Sequence, residues 1–209
     1  MYDILVVKRF YPEHLKRRKR RMILIAALFV LLLALGVGAF LWYKEKSKVR
    51  WQIYTNTDLK VQISYPETFS KNTLSEEGQK AGYLLRIFRE KPPAIFSLRY
   101  EGNLGPLQSV AGKNIFDYLV GETNRRYPER FPDYQKVGFQ EMILDRERAA
   151  QFDFTYTGAD EKTKMKERFV IVVKGDVAFY LSAQSPENEF FKSENDFDKI
   201  ISSFEFLSD

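Results

Sequence analysis

Cysteine is missing from all 209 residues, and the single histidine, His14, lies close to the start of the chain. The first absence removes disulfides, thiol nucleophiles and thiolate metal ligands. The second leaves everything after residue 14 without an imidazole for general-base work, for a Ser-His-Asp arrangement or for metal. No G-x-S-x-G, Walker loop, G-x-G-x-x-G or H-E-x-x-H is present either. Catalysis would have to rest on paired carboxylates or a lysine nucleophile. The densest acidic stretch is Glu187, Glu189, Glu194, Asp196 and Asp198. Its spacing does not fit a calcium loop, which needs acidic or amide positions 1, 3 and 5, glycine at 6 and glutamate at 12. A solvated helix start accounts for it. The expectation is a protein that is not an enzyme and carries no cofactor or metal.

Charge is also absent from one long stretch. Met22–Tyr43 is 22 residues without an ionisable acid or base, and Lys16, Arg17, Arg18, Lys19, Arg20 and Arg21 precede it. As a helix it would be about 33 Å long, against about 30 Å of hydrocarbon. Seven Leu, two Ile, two Phe and two Val contribute roughly −4 to −8 kcal/mol on the insertion scale. Trp42 and Tyr43 stand at its outer end, where amphipathic rings prefer the membrane interface. Eight basic residues lie before the segment and four follow in Lys44–Arg50. This bias places the N-terminus in the cytoplasm and the rest outside it. A signal peptide cleaved after Ala39 is the alternative. Apolar residues continue through Phe40-Leu41-Trp42, beyond the usual apolar length of such signals, which favours an uncleaved anchor.

The net charge of +5 divides unevenly. Residues 1–50 carry 12 Lys/Arg and 3 Asp/Glu, whereas residues 51–209 carry 21 and 25. Basicity therefore belongs to the flanks of the apolar segment. There Lys16–Arg21 would attract anionic headgroups at about 1 kcal/mol per residue, making membrane lipid an expected partner. Nucleic acid is not expected to bind the acidic remainder. The domains read as a basic cytoplasmic tail (1–21), a transmembrane helix (22–43), a linker (44–50) and an extracytoplasmic domain (51–209). With about 160 residues this last part buries roughly 70% of its unfolded surface and needs no staples.

Short alternating runs dominate residues 51–209. Trp51–Tyr54 and Leu59–Tyr65 read as strands, Pro66 ends the second, and Phe69 is a core plug. Lys71–Lys80 reads as polar loop. Gly82–Glu90 and Ala94–Tyr100 form a hairpin turning at Lys91-Pro92-Pro93. Asn114 caps a helix over Ile115–Arg126, with Ile115, Phe116, Leu119 and Val120 on its buried face. Pro128 and Pro132 stop it. Strands resume over Tyr134–Leu144 and Ala149–Thr157, turning at Asp145-Arg146. Lys166–Lys174 and Val177–Gln184 form the clearest hairpin, with Gly175-Asp176 as a two-residue turn. Phe169–Val173 is apolar on both faces and reads as a central strand. Ser193 with Asp196 reads as a capping box for the last helix. Phe197, Ile200, Ile201 and Phe204 form its apolar stripe. The fold class is α+β, a mainly antiparallel sheet of about six strands flanked by helices and preceded by one transmembrane helix.

The order of these elements resembles the PsbP/Mog1-like superfamily, especially its bacterial PsbP-related members. The markers are the strand end Tyr65-Pro66 with Phe69 after it, the strands around Phe152–Tyr156, the hairpin Phe169–Val173/Phe179–Leu181, and the closing Ile200-Ile201-Ser202-Ser203-Phe204. The resemblance covers roughly residues 51–207. It implies an α/β/α sandwich and a non-enzymatic binding or assembly role. Plant and cyanobacterial members bind photosystem II on its lumenal side, and another branch binds a small GTPase. No functional residue carries over, because the region lacks any histidine for a metal site like those proposed for some members. The functional expectation is a single-pass cell-membrane protein, N-terminus cytoplasmic, whose outer domain binds or assembles a membrane or envelope complex through a protein partner. A small-ligand-binding domain is the alternative, and a carboxylate enzyme is less favoured. An adaptor calls for an exposed apolar or aromatic patch. A ligand binder calls for a concave apolar pocket with a few polar groups, and an enzyme for converging carboxylates in a cleft.

Overall fold

Burial along one strand sets the layering. In Lys164–Lys174, Phe169 and Ile171 pack with one cluster of buried side chains, while Val170 and Val172 pack with another. A strand buried on both faces must lie inside a sheet covered on both sides, as the apolar run Phe169–Val173 suggested. The computed structural model describes residues 49–107 and 114–208, together with Leu33, Gly36 and Val37, which have helical backbone and are exposed. The chain divides into two units, Met1–Lys48 and Val49–Asp209. Among the described residues no helix is long and apolar enough to cross a membrane. The basic run Lys16–Arg21, the aromatic pair Trp42 and Tyr43, and all of Met22–Tyr43 except those three residues lie outside the described residues.

The strands are β1 (Trp51–Asn56), β2 (Val61–Pro66), β3 (Ser70–Lys71), β4 (Tyr83–Arg89), β5 (Ala94–Glu101), β6 (Gln135–Leu144), β7 (Glu147–Thr157), β8 (Lys164–Lys174), β9 (Val177–Pro186) and β10 (Glu205–Phe206). The helices whose bounds lie among the described residues are α1 (Glu76–Lys80), α2 (Ile115–Arg130) and α3 (Glu187–Ser202). Seven strands form one antiparallel sheet in the order β3-β4-β5-β9-β8-β7-β6, and three form a second, β1-β2-β10. The expected single sheet of about six strands is thus two sheets. The two-residue strands β3 and β10 are too short to show a period, and β2, with β1 on its other side, pairs with β10 near the end of the chain rather than with the hairpin that follows it.

The α3 side of the large sheet holds Phe190, Phe197, Ile200, Ile201 and Phe204 against Leu85, Ile87, Phe96, Leu98, Val170 and Leu181, with Val61 and Ile63 of the small sheet. Phe69 is buried there as expected. On the opposite face Ile115, Phe116 and Leu119 of α2 cover Phe152, Phe154, Phe169, Ile171 and Tyr180. This is a helix–sheet–helix layering with the small sheet beside α3.

Three local readings change. The region Lys71–Lys80 contains β3 and the short helix α1, which Ser75 caps by accepting from Gly78 N. Helix α2 begins as read, Asn114 Oδ1 accepting from Phe116 N at 2.8 Å, but it runs through Pro128 to Arg130. One lost hydrogen bond in the final turn is outweighed there by Tyr127 and Phe131, whose rings lie 5.4 and 5.3 Å from Phe154. Helix α3 begins at Glu187, not after Ser193. Ser193 is fully buried inside it, and its hydroxyl and the Asp196 carboxylate both accept from Arg89, at 2.8 and 2.7 Å.

Candidate functional site

Helical spacing builds one wall of a cleft of about 620 Å³. Tyr118, Glu122, Arg126 and Arg130 follow at intervals of four along α2, and Leu119, Thr123 and Tyr127 form the row beside them. The opposite wall is Arg99 and Glu101 of β5 with Phe169 of β8 and Tyr180 of β9. Arg99 and Tyr180 are cross-strand partners, and the guanidinium lies 4.2 Å from the ring centre. The Tyr180 hydroxyl donates to Glu101 Oε2 at 2.8 Å. Glu122 holds Arg125 at 2.9 Å and Arg126 at 2.6 Å. The hydrogen bond from Arg125 leads the causes that keep its carboxyl below the usual range.

Behind this cleft sits Glu167, on the α2 face of β8 two residues before Phe169. It is only 4% exposed. Oε1 accepts from Ser182 Oγ at 2.7 Å, and Oε2 ends without a partner of hydrogen-bonding geometry, although Tyr156 and Gln184 stand close. Burial pushes the carboxyl up to about 7, against the opposing pull of Ser182, Arg130, Tyr156 and Gln184. The phenols of Tyr127, Tyr156 and Tyr180 are pushed upward as well, chiefly by burial, and stay neutral.

The cleft presents guanidiniums, tyrosine rings and carboxylates of Glu101, Glu122 and Glu129, with no lysine, histidine or cysteine among the lining residues. A carboxylate pair for acid–base work would need two neighbouring acids driven apart in affinity for a proton. Here the raised carboxyl is Glu167, and Glu122, whose own shift is downward, is occupied by arginine. The arrangement offers guanidiniums, carboxylates and aromatic rings for the recognition of polar groups.

The acidic stretch of α3 is spent on ion pairs. Glu194 and Asp198 reach Arg168, which also grips Asp153 with two hydrogen bonds of 3.0 Å. Asp196 binds Arg89, Glu187 lies 3.3 Å from Lys164 and Glu189 2.7 Å from Lys192. Glu187 and Glu189 stand in the first turn of α3, as a solvated helix start requires, and the stretch continues as ion-paired positions into the body of the helix. Among the described residues no cluster of acids forms a metal site. The membrane residues singled out from sequence, Lys16–Arg21 with Trp42 and Tyr43, lie outside the described residues. The cleft residues were not singled out, though the four-residue repeat from Tyr118 to Arg130 was available. Glu167 could have been found from its place on the same face as Phe169, facing the core.

Exposed apolar side chains concentrate elsewhere. Val137, Phe139 and Ile143 of β6 are 57, 41 and 64% exposed. Trp51 and Ile53 share one face of β1, with Val49 just before them, and Phe191 stands out singly.

No protein-family model matches this sequence, and no curated protein matches it. Solved structures do. Cyanobacterial PsbP from Synechocystis matches with a TM-score of 0.51 at 13% identity, over 77% of this chain and 95% of that one. LpqN of Mycobacterium tuberculosis, involved in cell envelope biogenesis, matches with 0.50 at 13% identity, over 79% and 95%. A protein of Bacteroides thetaiotaomicron matches with 0.52 at 12% identity, over 76% of this chain and 49% of that one. The domain that opens at β1 and closes after α3 has the PsbP/Mog1-like fold.

Proposed function

We propose that this chain is a non-enzymatic binding or assembly factor, tethered by Met22–Tyr43 and presenting its PsbP/Mog1-like domain on the extracytoplasmic side of a cell membrane. The cleft between α2 and β5 carries the reading. Arg99, Arg126 and Arg130 with Tyr118, Tyr127 and Tyr180 supply the residue types that dominate protein-interface hot spots. Small-molecule sites are mostly apolar, with few polar groups, whereas this lining alternates charge of both signs with aromatic rings. Its partner is a protein segment bearing carboxylates and apolar side chains. The likeness to LpqN, a protein of cell envelope biogenesis, supports a role at the envelope. Lipid contact falls to Lys16–Arg21, with Trp42 and Tyr43 at the outer interface.

The test is crosslinking of the full-length chain in native membranes, followed by mass spectrometry. One defined protein should be captured by the wild type and lost with Arg130→Glu or Arg99→Glu. Capture of lipid alone, or of the same protein by both variants, rejects the cleft. A ligand-binding reading is favoured by one observation, the unpartnered Oε2 of Glu167 beneath the cleft. A small molecule released from the full-length wild type on denaturation, and absent from Glu167→Gln, would select it.

A further inference from the structure

The two edges of the large sheet are built differently. At one edge β3 has two residues, short enough to discourage further pairing. At the other edge β6 has ten, contains no proline, and among the described residues pairs on one side only, with β7. Helix α2 lies over β8 and β7, leaving Val137, Phe139 and Ile143 uncovered. Such an edge is a template for another strand.

The register of β6 indicates which strand. Against β7, Val137 is bulged, so Lys136 and Gly138 are neighbours in the ladder. Lys136, Phe139, Glu141 and Ile143 oppose Phe154, Phe152, Ala150 and Arg148, all on the α2 face. Two antiparallel copies of β6 related by a two-fold axis normal to the sheet keep their faces, so the axis passes through one residue. Through Phe139 it sets ring against ring and Lys136 opposite Glu141 of the second copy, twice. Through Glu141 it would oppose two carboxylates, and through Ile143 it would pair only Met142–Leu144 with their mates, because β6 ends at Leu144. Like charges directly opposite destabilise a pair.

We propose that β6 pairs with β6 of a second copy of this chain, antiparallel, with Phe139 on the two-fold axis. The groups are in position for it. Lys136 Nζ donates to the neutral Asn124 amide at 3.1 Å and lies 4.9 Å from the Phe139 ring centre. Arg148 holds Glu141 at 3.0 Å and Asp117 at 3.3 Å, so in the pair each Glu141 bridges two cations. The cleft lies over β5, β8 and β9 and remains open, so this pairing is independent of the function proposed for it.

The absence of cysteine makes the test clean. Full-length F139C in detergent micelles, oxidised with copper–phenanthroline, should form a covalent dimer on non-reducing gels. I143C should form at least about tenfold less, because a disulfide needs Cα atoms within about 7 Å and Ile143 lies far from its own mate. In sedimentation of the full-length chain, K136E should lower the dimer fraction and K136E/E141K should restore it. Both positions are exposed, so these variants keep the test intact even if F139C folds poorly. Equal crosslinking at 139 and 143, failure of the charge swap to restore the dimer, or a wild type that sediments as a monomer would each overturn the pairing. A monomer that binds an added extended peptide along β6 would assign the edge to a different protein.

Discussion

Glu167 is a carboxyl that folding makes harder to ionise. Raised to about 7 in the folded domain by burial, it holds a proton between its unfolded value near 4.3 and neutrality. Over that window the folded state binds more protons than the unfolded one, so stability falls as pH rises and levels off above about 7. Urea midpoints of the full-length chain should therefore be higher at pH 5 than at pH 8, against the background of other carboxylates. Glu167→Gln should flatten that slope and raise the unfolding free energy at pH 8 by up to about 3 kcal/mol if the whole shift is felt. An unchanged slope would mean that another group titrates. Arg168 and Arg89 show the opposite use of burial. Each nearly buried guanidinium is met by acids of α3, so removing one partner strands a charge.

Helix ends were legible where the signal is local and failed where tertiary contacts decide. Asn114 was read correctly because its cap needs only the two residues after it. Replacement by alanine should cost about 1 kcal/mol, a drop of roughly 2–4 °C in melting temperature for a domain of this size; a smaller loss would show that packing of Phe116 alone fixes the start. Ser193 and Asp196 matched a cap pattern at the right spacing, yet both serve Arg89, 104 and 107 residues earlier in the chain. Nothing in the local sequence reveals such a partner. Pro128 likewise predicted a stop, and aromatic packing by Tyr127 and Phe131 carried the helix past it. Of the stripe Phe197, Ile200, Ile201, Phe204, the first three were readable from period and lie on α3, whereas Phe204 falls past the helix end at Ser202; all four are buried.

For the molecule as a whole, the element order gave the PsbP/Mog1-like fold, while the division into two sheets was hidden because β10 follows α3 and returns to β2. The cleft was hidden for a similar reason, since it joins residues of α2 with β5, β8 and β9. The membrane tether is tested at this scale. Full-length chain should stay in the pellet after alkaline carbonate, deletion of residues 22–43 should release it, and protease added outside intact cells should cut the C-terminal part; extraction of the undeleted chain by carbonate would reject the anchor. The small sheet adds a mechanical consequence. Strand β2 lies between β1, where the domain begins, and β10, where it ends, with Trp51 opposite Pro66 and Phe206 opposite Val61. Tension between the two termini thus pulls lengthwise along β2 from opposite ends. The hydrogen bonds of an antiparallel ladder lie across that direction, so they share the load and fail together instead of peeling one by one. A domain pulled at its two ends is thereby wired to resist stretching.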